Sequence, residues 1–305
     1  MDIKKIGLAG YSFDKGGIIT GSAAGPDTVR GRNLLDRLSR LNLDVTDFGN
    51  ANSTAAEIVA KNSFTTEESG IKDVAEVLQA TQNIKSLVSN ILTEEKFPLI
   101  IGGDHSVSIG SVAAVSEKRE QEGKKTGLIW IDTHSDINFP ATSPSKRAFG
   151  MSVAFLAGLI EGTFKPVAPI PLENIAFIGL RDVDPGERKI IKENKISAHT
   201  IKDIDLNGIQ KTVEQAIETA SKGTDGFVVS FDLDVCDPRI VPGTQTPIRG
   251  GLNFREAHLI VELLYESNLM KSFELVELNP ELDRENITAD LAVSLIESAL
   301  GSTLI

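Results

Sequence analysis

The sequence has 305 residues, 41% hydrophobic and 24% charged, enough for a sizeable buried core. Its formal net charge of −12 is the wrong sign for phosphate backbones and anionic lipid, so no nucleic-acid and no membrane partner is expected. No stretch is apolar for long enough to span a bilayer, no leader-like run follows Met1, and the lone cysteine, Cys236, forms no internal disulfide; the expectation is a cytoplasmic chain with an inert thiol.

In chain order, residues 6–9 are the first apolar, strand-like run, followed by a glycine-rich loop at 16–25. Pro26-Asp27 marks a helix start, because proline suits the first turn and an acid suits the helix dipole. Residues 43–48 read as a second strand, after which Ile71, Val74, Val77, Leu78 and Ile84 repeat at helical spacing. Strands follow at 97–101, 127–131, 174–178, 226–231 and 273–278, with rich loops at 139–147 and 238–251. Leu259, Ile260, Leu263 and Leu264 repeat as a helix; His258 belongs to it and His199 to an edge-like strand, both with structural rather than chemical roles. Several strands are apolar at nearly every position, as when both sheet faces are covered. The alternation predicts a three-layer α/β/α fold around a mostly parallel sheet, with 1–305 as a single domain. In such sheets sites gather outside the carboxyl ends of the strands.

Three short strings fall at those ends: His105 in Gly102-Gly103-Asp104-His105-Ser106; Asp132, His134 and Asp136 in Asp132-Thr133-His134-Ser135-Asp136; and Asp232 and Asp234 in Ser230-Phe231-Asp232-Leu233-Asp234. Residues two apart in an extended segment face the same way, so each string can converge on one point. Four carboxylates in one pocket need cations to neutralise them. Oxygen ligands with imidazole favour Mn²⁺ over a sulfur-rich zinc site, with Co²⁺, Fe²⁺ and Ni²⁺ also fitting. Two such ions close together can share a water and lower its pKa toward neutrality, giving a hydroxide nucleophile. Asp104 is expected either in the set or as a partner that orients a ligand.

On these strings the chain resembles the ureohydrolases, the arginase and agmatinase family, and is most similar to arginase. The likeness runs from Gly21-Ser22-Ala23-Ala24-Gly25-Pro26 to Glu277-Leu278-Asn279-Pro280, and the segment Arg181-Asp182-Val183-Asp184-Pro185-Gly186-Glu187 points to arginase in particular. It implies two Mn²⁺ held by His105, Asp132, Asp136 and Asp232, with His134 and Asp234 completing the set. It also implies hydrolysis of L-arginine to L-ornithine and urea. Glu277 matches the guanidinium-binding glutamate and Thr246 a position in the same pocket. Asn138 and Ser145 match residues that hold the α-carboxylate, and Asp184, with Glu187 nearby, the amino end. Agmatine lacks the carboxylate, so these residues favour arginine. A homo-oligomer, trimer or hexamer, is implied as well.

The sequence departs from that pattern in two places. Where arginases carry a proton-shuttling histidine before a glycine, this chain has Phe149-Gly150, preceded by the unusual Lys146 and Arg147. Phenylalanine cannot transfer a proton; Phe149 with Val153 and Leu156 reads equally as one apolar helix face. The expectation is a slower or more alkaline-shifted enzyme, with Asp136 or a metal-bound water handling the proton. Gln245 stands where glycine is usual between Thr244 and Thr246. These departures keep two other readings open: a hydrolase of agmatine, guanidinobutyrate or formiminoglutamate, and a weakly active metal-binding homologue that regulates a partner.

Overall fold

The computed structural model describes residues 3–51, 64–65 and 68–303; Met1 and the last two residues of the expected 1–305 domain lie outside them. Eight strands form one sheet: β1 (Lys5–Gly10), β2 (Asp44–Asn50), β3 (Phe97–Ile101), β4 (Gly127–Ile131), β5 (Ile175–Leu180), β6 (Ser197–Thr200), β7 (Phe227–Asp232) and β8 (Met270–Val276). Their order is β2-β1-β3-β8-β7-β4-β5-β6, and every pair is parallel. The expected three-layer α/β/α fold is therefore present, with a sheet that is wholly rather than mostly parallel.

The inner strands β3, β4, β5 and β7 are buried at every position, which explains their continuous apolar runs. The edge strands β2 and β6 are half-exposed, and His199 lies on the second of them. Alternate residues feed opposite faces. Ile129 and Ile131 pack with helices α1 (Gly25–Gly31), α2 (Leu34–Arg40), α7 (Ile201–Asn207), α8 (Ile209–Ser221), α9 (Phe254–Glu266) and α10 (Ile287–Ala299). Leu128 and Trp130 pack on the other side with α3 (Val74–Thr93), α4 (Val107–Gln121) and α5 (Ser152–Leu156). Helices α3 and α4 meet at Gly110, where a Cβ would fall 2.1 Å from the Thr81 carbonyl oxygen. Remaining helix α6 (Pro185–Asn194) starts with Pro185 after the cap residue Asp184.

Several boundaries moved. Pro26 and Asp27 do open α1, but Ile71 is buried ahead of α3 rather than within it. Strand β8 ends at Val276, so Glu277 begins the loop, with a left-handed φ of +70°. Phe149 is not on the buried face shared by Val153 and Leu156. Those two join the core, whereas Phe149 lies in the single turn before α5, half-exposed. The helical spacing holds only from Ser152 onward, and the preceding turn rotates Phe149 away.

Candidate metal centre

The three strings meet above adjacent strand tips. His105 follows β3, the 132–136 string follows β4, and Asp232 ends β7 with Asp234 in the single turn after it. His105 and Asp132 are fully buried, and Asp136, Asp232 and Asp234 nearly so. His105 Nδ1 lies 3.1 Å from Asp132 Oδ2, 3.1 Å from Asp232 Oδ2 and 3.3 Å from Asp136 Oδ2. His134 Nδ1 lies 3.4 Å from Asp132 Oδ1 and 3.2 Å from Asp234 Oδ2. Asp132 therefore turns one oxygen to each histidine. Two compact donor groups result, His105/Asp132/Asp232 and Asp132/His134/Asp234.

This donor set fits two divalent cations. Carboxylates and imidazoles without thiolate suit Mn²⁺ and its neighbours, and one carboxylate common to both groups suits a pair of closely spaced ions. The outer partners are also in place. His105 Nε2 lies 2.8 Å from Ser230 Oγ, so its Nδ1 is the nitrogen turned inward. Trp130 stacks on His105 with ring centres 4.0 Å apart and donates Nε1–H to Asp132 Oδ2 at 3.0 Å. Behind Ser230, Ser108 and Ser111 donate to the buried Glu274 carboxylate, Ser111 at 2.5 Å. The sequence reading missed Trp130, Ser230 and Glu274. The signals were an aromatic and a hydroxyl two residues before ligands on the same strand face, and a carboxylate between the apolar neighbours Phe273 and Leu275.

Electrostatics express the crowding of like charges. Burial pushes the Asp136 and Asp232 carboxyls well above the usual range, reinforced by Asp132 for Asp136 and by Asp234 and Asp132 for Asp232. Burial alone would lower the His105 imidazole, yet Asp132, Asp136 and Glu274 raise it to about 9. His134 is likewise raised, against burial, by Asp234 and Asp132. Against its burial, the two histidines in turn hold the Asp132 carboxyl below its usual range; cation binding displaces the protons that the raised groups hold.

A cavity of about 200 Å³ opens onto the cluster through His134 and Asp136. Asn138, Ser145, Asp184, Glu187, Thr246 and Phe149 all line it. Thr246 donates to Asp234 Oδ2 at 2.9 Å. Asn138 donates to Asp184 Oδ2 at 2.9 Å and accepts from the Thr142 hydroxyl at 2.9 Å. Ser145 lies 3.3 Å from Ser143 Oγ. Glu187 is turned largely to backbone, accepting the N–H of Asp184 at 2.9 Å and of Ile137 at 3.1 Å. Asp182, given no role of its own in the sequence reading, also lines the cavity and sits 3.7 Å from His134 Nε2.

Glu277 is buried rather than lining the cavity. Its Oε1 accepts the His105 N–H at 2.8 Å and its Oε2 accepts the Gln245 amide at 2.6 Å. Burial, then Asp232 and Asp104, raise its pKa. Asp104 proves to be outside both donor groups: its Oδ2 accepts the N–H of Gly16 at 2.8 Å and Gly17 at 3.1 Å. A Cβ at Gly103 would lie 2.0 Å from the Phe13 carbonyl oxygen, so only glycine lets this incoming segment reach the β3 tip. The other histidines are remote: His199 bonds Ser197 at 3.2 Å and His258 bonds Ser298 at 2.8 Å. Cys236 is buried, and burial raises its thiol pKa, which suits an inert role.

An all-parallel α/β sheet with a paired His/Asp cluster at its strand tips defines the class of metal-dependent hydrolases that activate water on two ions. The arginase family model matches residues 4–301. An arginase from Staphylococcus aureus (strain MRSA252) is 39% identical, over 99% of both chains, and one from Bacillus subtilis (strain 168) is 37% identical over 99% of both. The native arginase structure from Bacillus caldovelox superposes with a TM-score of 0.89 at 35% identity, covering 98% of this chain and 99% of that one. The chain belongs to the arginase family. No helix among the described residues is long and apolar enough to cross a membrane.

Proposed function

We propose that this protein hydrolyses L-arginine to L-ornithine and urea with two Mn²⁺ ions. The observation that carries the reading is the pair of donor groups sharing Asp132 at the inner end of a cavity lined by carboxylates, a setting for a cationic substrate. His105, Asp132, Asp136 and Asp232 would hold one ion, and His134, Asp132 and Asp234 the other. Bound there, the ions offset the carboxylate charge and supply activated water as the nucleophile.

The remaining work falls to the chain's own side chains. The resemblance assigns the guanidinium to Glu277, which is buried behind the cavity lining; the cation's charge would favour the ionised carboxylate that burial disfavours. Thr246, anchored on Asp234, borders the same end of the pocket. Asn138 and Ser145 hold the α-carboxylate, and Asp184 the α-amino group with Glu187 setting its loop. Asp136 stands outside the two compact groups, 3.3 Å from His105 Nδ1, and among the described residues it is the one carboxylate of the expected ligands that also lines the cavity. It moves the proton from the attacking water to the departing amine as the bond from the guanidinium carbon to the ornithine nitrogen breaks. The resemblance to arginases further supports a cytoplasmic homo-oligomer, trimer or hexamer.

The test is steady-state urea and ornithine production from arginine by Mn²⁺-loaded protein, beside agmatine, guanidinobutyrate and formiminoglutamate. Arginine should give the highest kcat/KM. Faster urea release from agmatine or guanidinobutyrate, or formamide release from formiminoglutamate, would reassign the substrate. No turnover of any would favour a regulatory homologue.

A further inference from the structure

Gln245, read above as a departure from the arginase pattern, is buried, and its carboxamide is engaged at both ends. Oε1 accepts the backbone N–H of Ile18 at 2.7 Å and of Ile19 at 3.0 Å. Nε2 donates to Glu277 Oε2 at 2.6 Å. With Gly16 and Gly17 donating to Asp104, four successive backbone N–H groups of the 16–19 segment are fastened by two side chains. The amide can satisfy both neighbours in one orientation only, oxygen toward the two donors and nitrogen toward the carboxylate. A Cβ on Gly17 would fall 2.5 Å from Gln245 Nε2, so the segment lies directly on the amide. Ile18 in turn lines the cavity. One side chain thus links the cavity wall to the carboxylate beneath it. Glycine at 245 would leave Glu277 Oε2 without this donor and both N–H groups without this acceptor.

We propose that Gln245 is a positioning residue for guanidinium recognition, holding the Glu277 carboxylate through Nε2–H and pinning the 16–19 segment over it. The proposal rests on the reading of Glu277 as the guanidinium partner. It makes the link specific to substrates with a planar guanidinium or amidinium head, since the fork of donors is sensitive to how the carboxylate is turned.

Two variants separate the two jobs. Gln245→Gly removes both; Gln245→Glu keeps acceptors for Ile18 and Ile19 but exchanges the fixed amide donor for a carboxyl group that competes with Glu277 for one proton. In Mn²⁺-loaded full-length protein, kcat and KM for arginine are measured beside metal content and calorimetric affinity for ornithine, which lacks the guanidinium. Both variants should lower kcat/KM for arginine by about tenfold to a hundredfold, the loss typical of a hydrogen bond to a charged group. Ornithine affinity should stay within about twofold, as its ammonium needs no such fork, and metal content should be unchanged. Unchanged kcat/KM, or equal weakening of arginine and ornithine, would overturn the proposal, the latter by assigning Gln245 a merely structural role. Glu277→Ala is the reference: if it keeps arginine turnover, the Glu277 reading falls and the Gln245 role with it. If it loses turnover while the Gln245 variants do not, the Gln245 proposal alone falls.

Discussion

The inner and outer halves of the pocket are built on different principles. At the inner end the donors stand on or just past strand tips, all but the partly exposed His134 are buried or nearly so, and His105 and Asp132 are held by Ser230 and Trp130. The outer end is the 138–150 loop and the cap of α6, half-exposed and joined by exchangeable bonds such as Asn138 to Asp184. The sheet supplies rigidity where charges must be confronted; loops supply adaptable polar groups where the cavity opens, the end proposed above for the substrate's α-carboxylate and α-amino group. The departures Lys146, Arg147 and Phe149 all lie on that outer loop. Gln245 is the exception, joining the two halves.

The contrast predicts a graded response to substitution. Asp132→Asn should be most severe, because both donor groups share this residue: metal content should fall below one ion per chain and turnover by more than about a thousandfold, beyond the 10–100-fold usual for outer partners. Metal analysis beside a urea assay measures this. Two retained ions would show that the inner half is less interdependent than its geometry implies. Glu277→Ala should lower turnover by roughly two to three orders of magnitude, the loss expected when a buried charged partner is removed, while both metals stay bound. Phe149→His should raise activity near neutral pH about tenfold or more by placing a general acid at the cavity. A flat pH-rate comparison with the parent would show that Asp136 suffices. Asn138→Ala and Ser145→Ala should raise KM for arginine about tenfold each and leave agmatine unchanged.

The smallest expected effect lies outside both halves. Burial lowers the folded-state pKa of His258 below its ordinary value, so the unfolded chain binds the proton more tightly. The stability this contributes is intact above the ordinary imidazole pKa, about 6.5, and is lost as pH falls through that region. Urea unfolding of His258→Gln against the parent at pH 7.5 and 5.5 should show a smaller acid loss in the variant; identical losses would remove His258 from the balance.

Much of the inner half was legible in the sequence because strand periodicity is rigid. Asp132, His134 and Asp136 at alternate positions after an apolar run had few ways to point, and the same holds for Asp232 and Asp234. The outer half was less legible. Helical spacing alone placed Phe149 with Val153 and Leu156, but the backbone turn before α5 sends it to the cavity instead. Asp104 was expected either in the ligand set or as a partner that orients a ligand; it fastens the 16–17 backbone, a contact across 88 residues that no local pattern encodes. The link from Gln245 to Ile18 spans 227 residues and was hidden for the same reason.

The most direct test of the central claim is metal stoichiometry by elemental analysis after dialysis of the purified chain against Mn²⁺ and removal of free ion. The geometry predicts two ions per chain in the parent protein, and fewer than one after Asp132→Asn. A parent protein that holds no transition metal under these conditions would contradict the account outright.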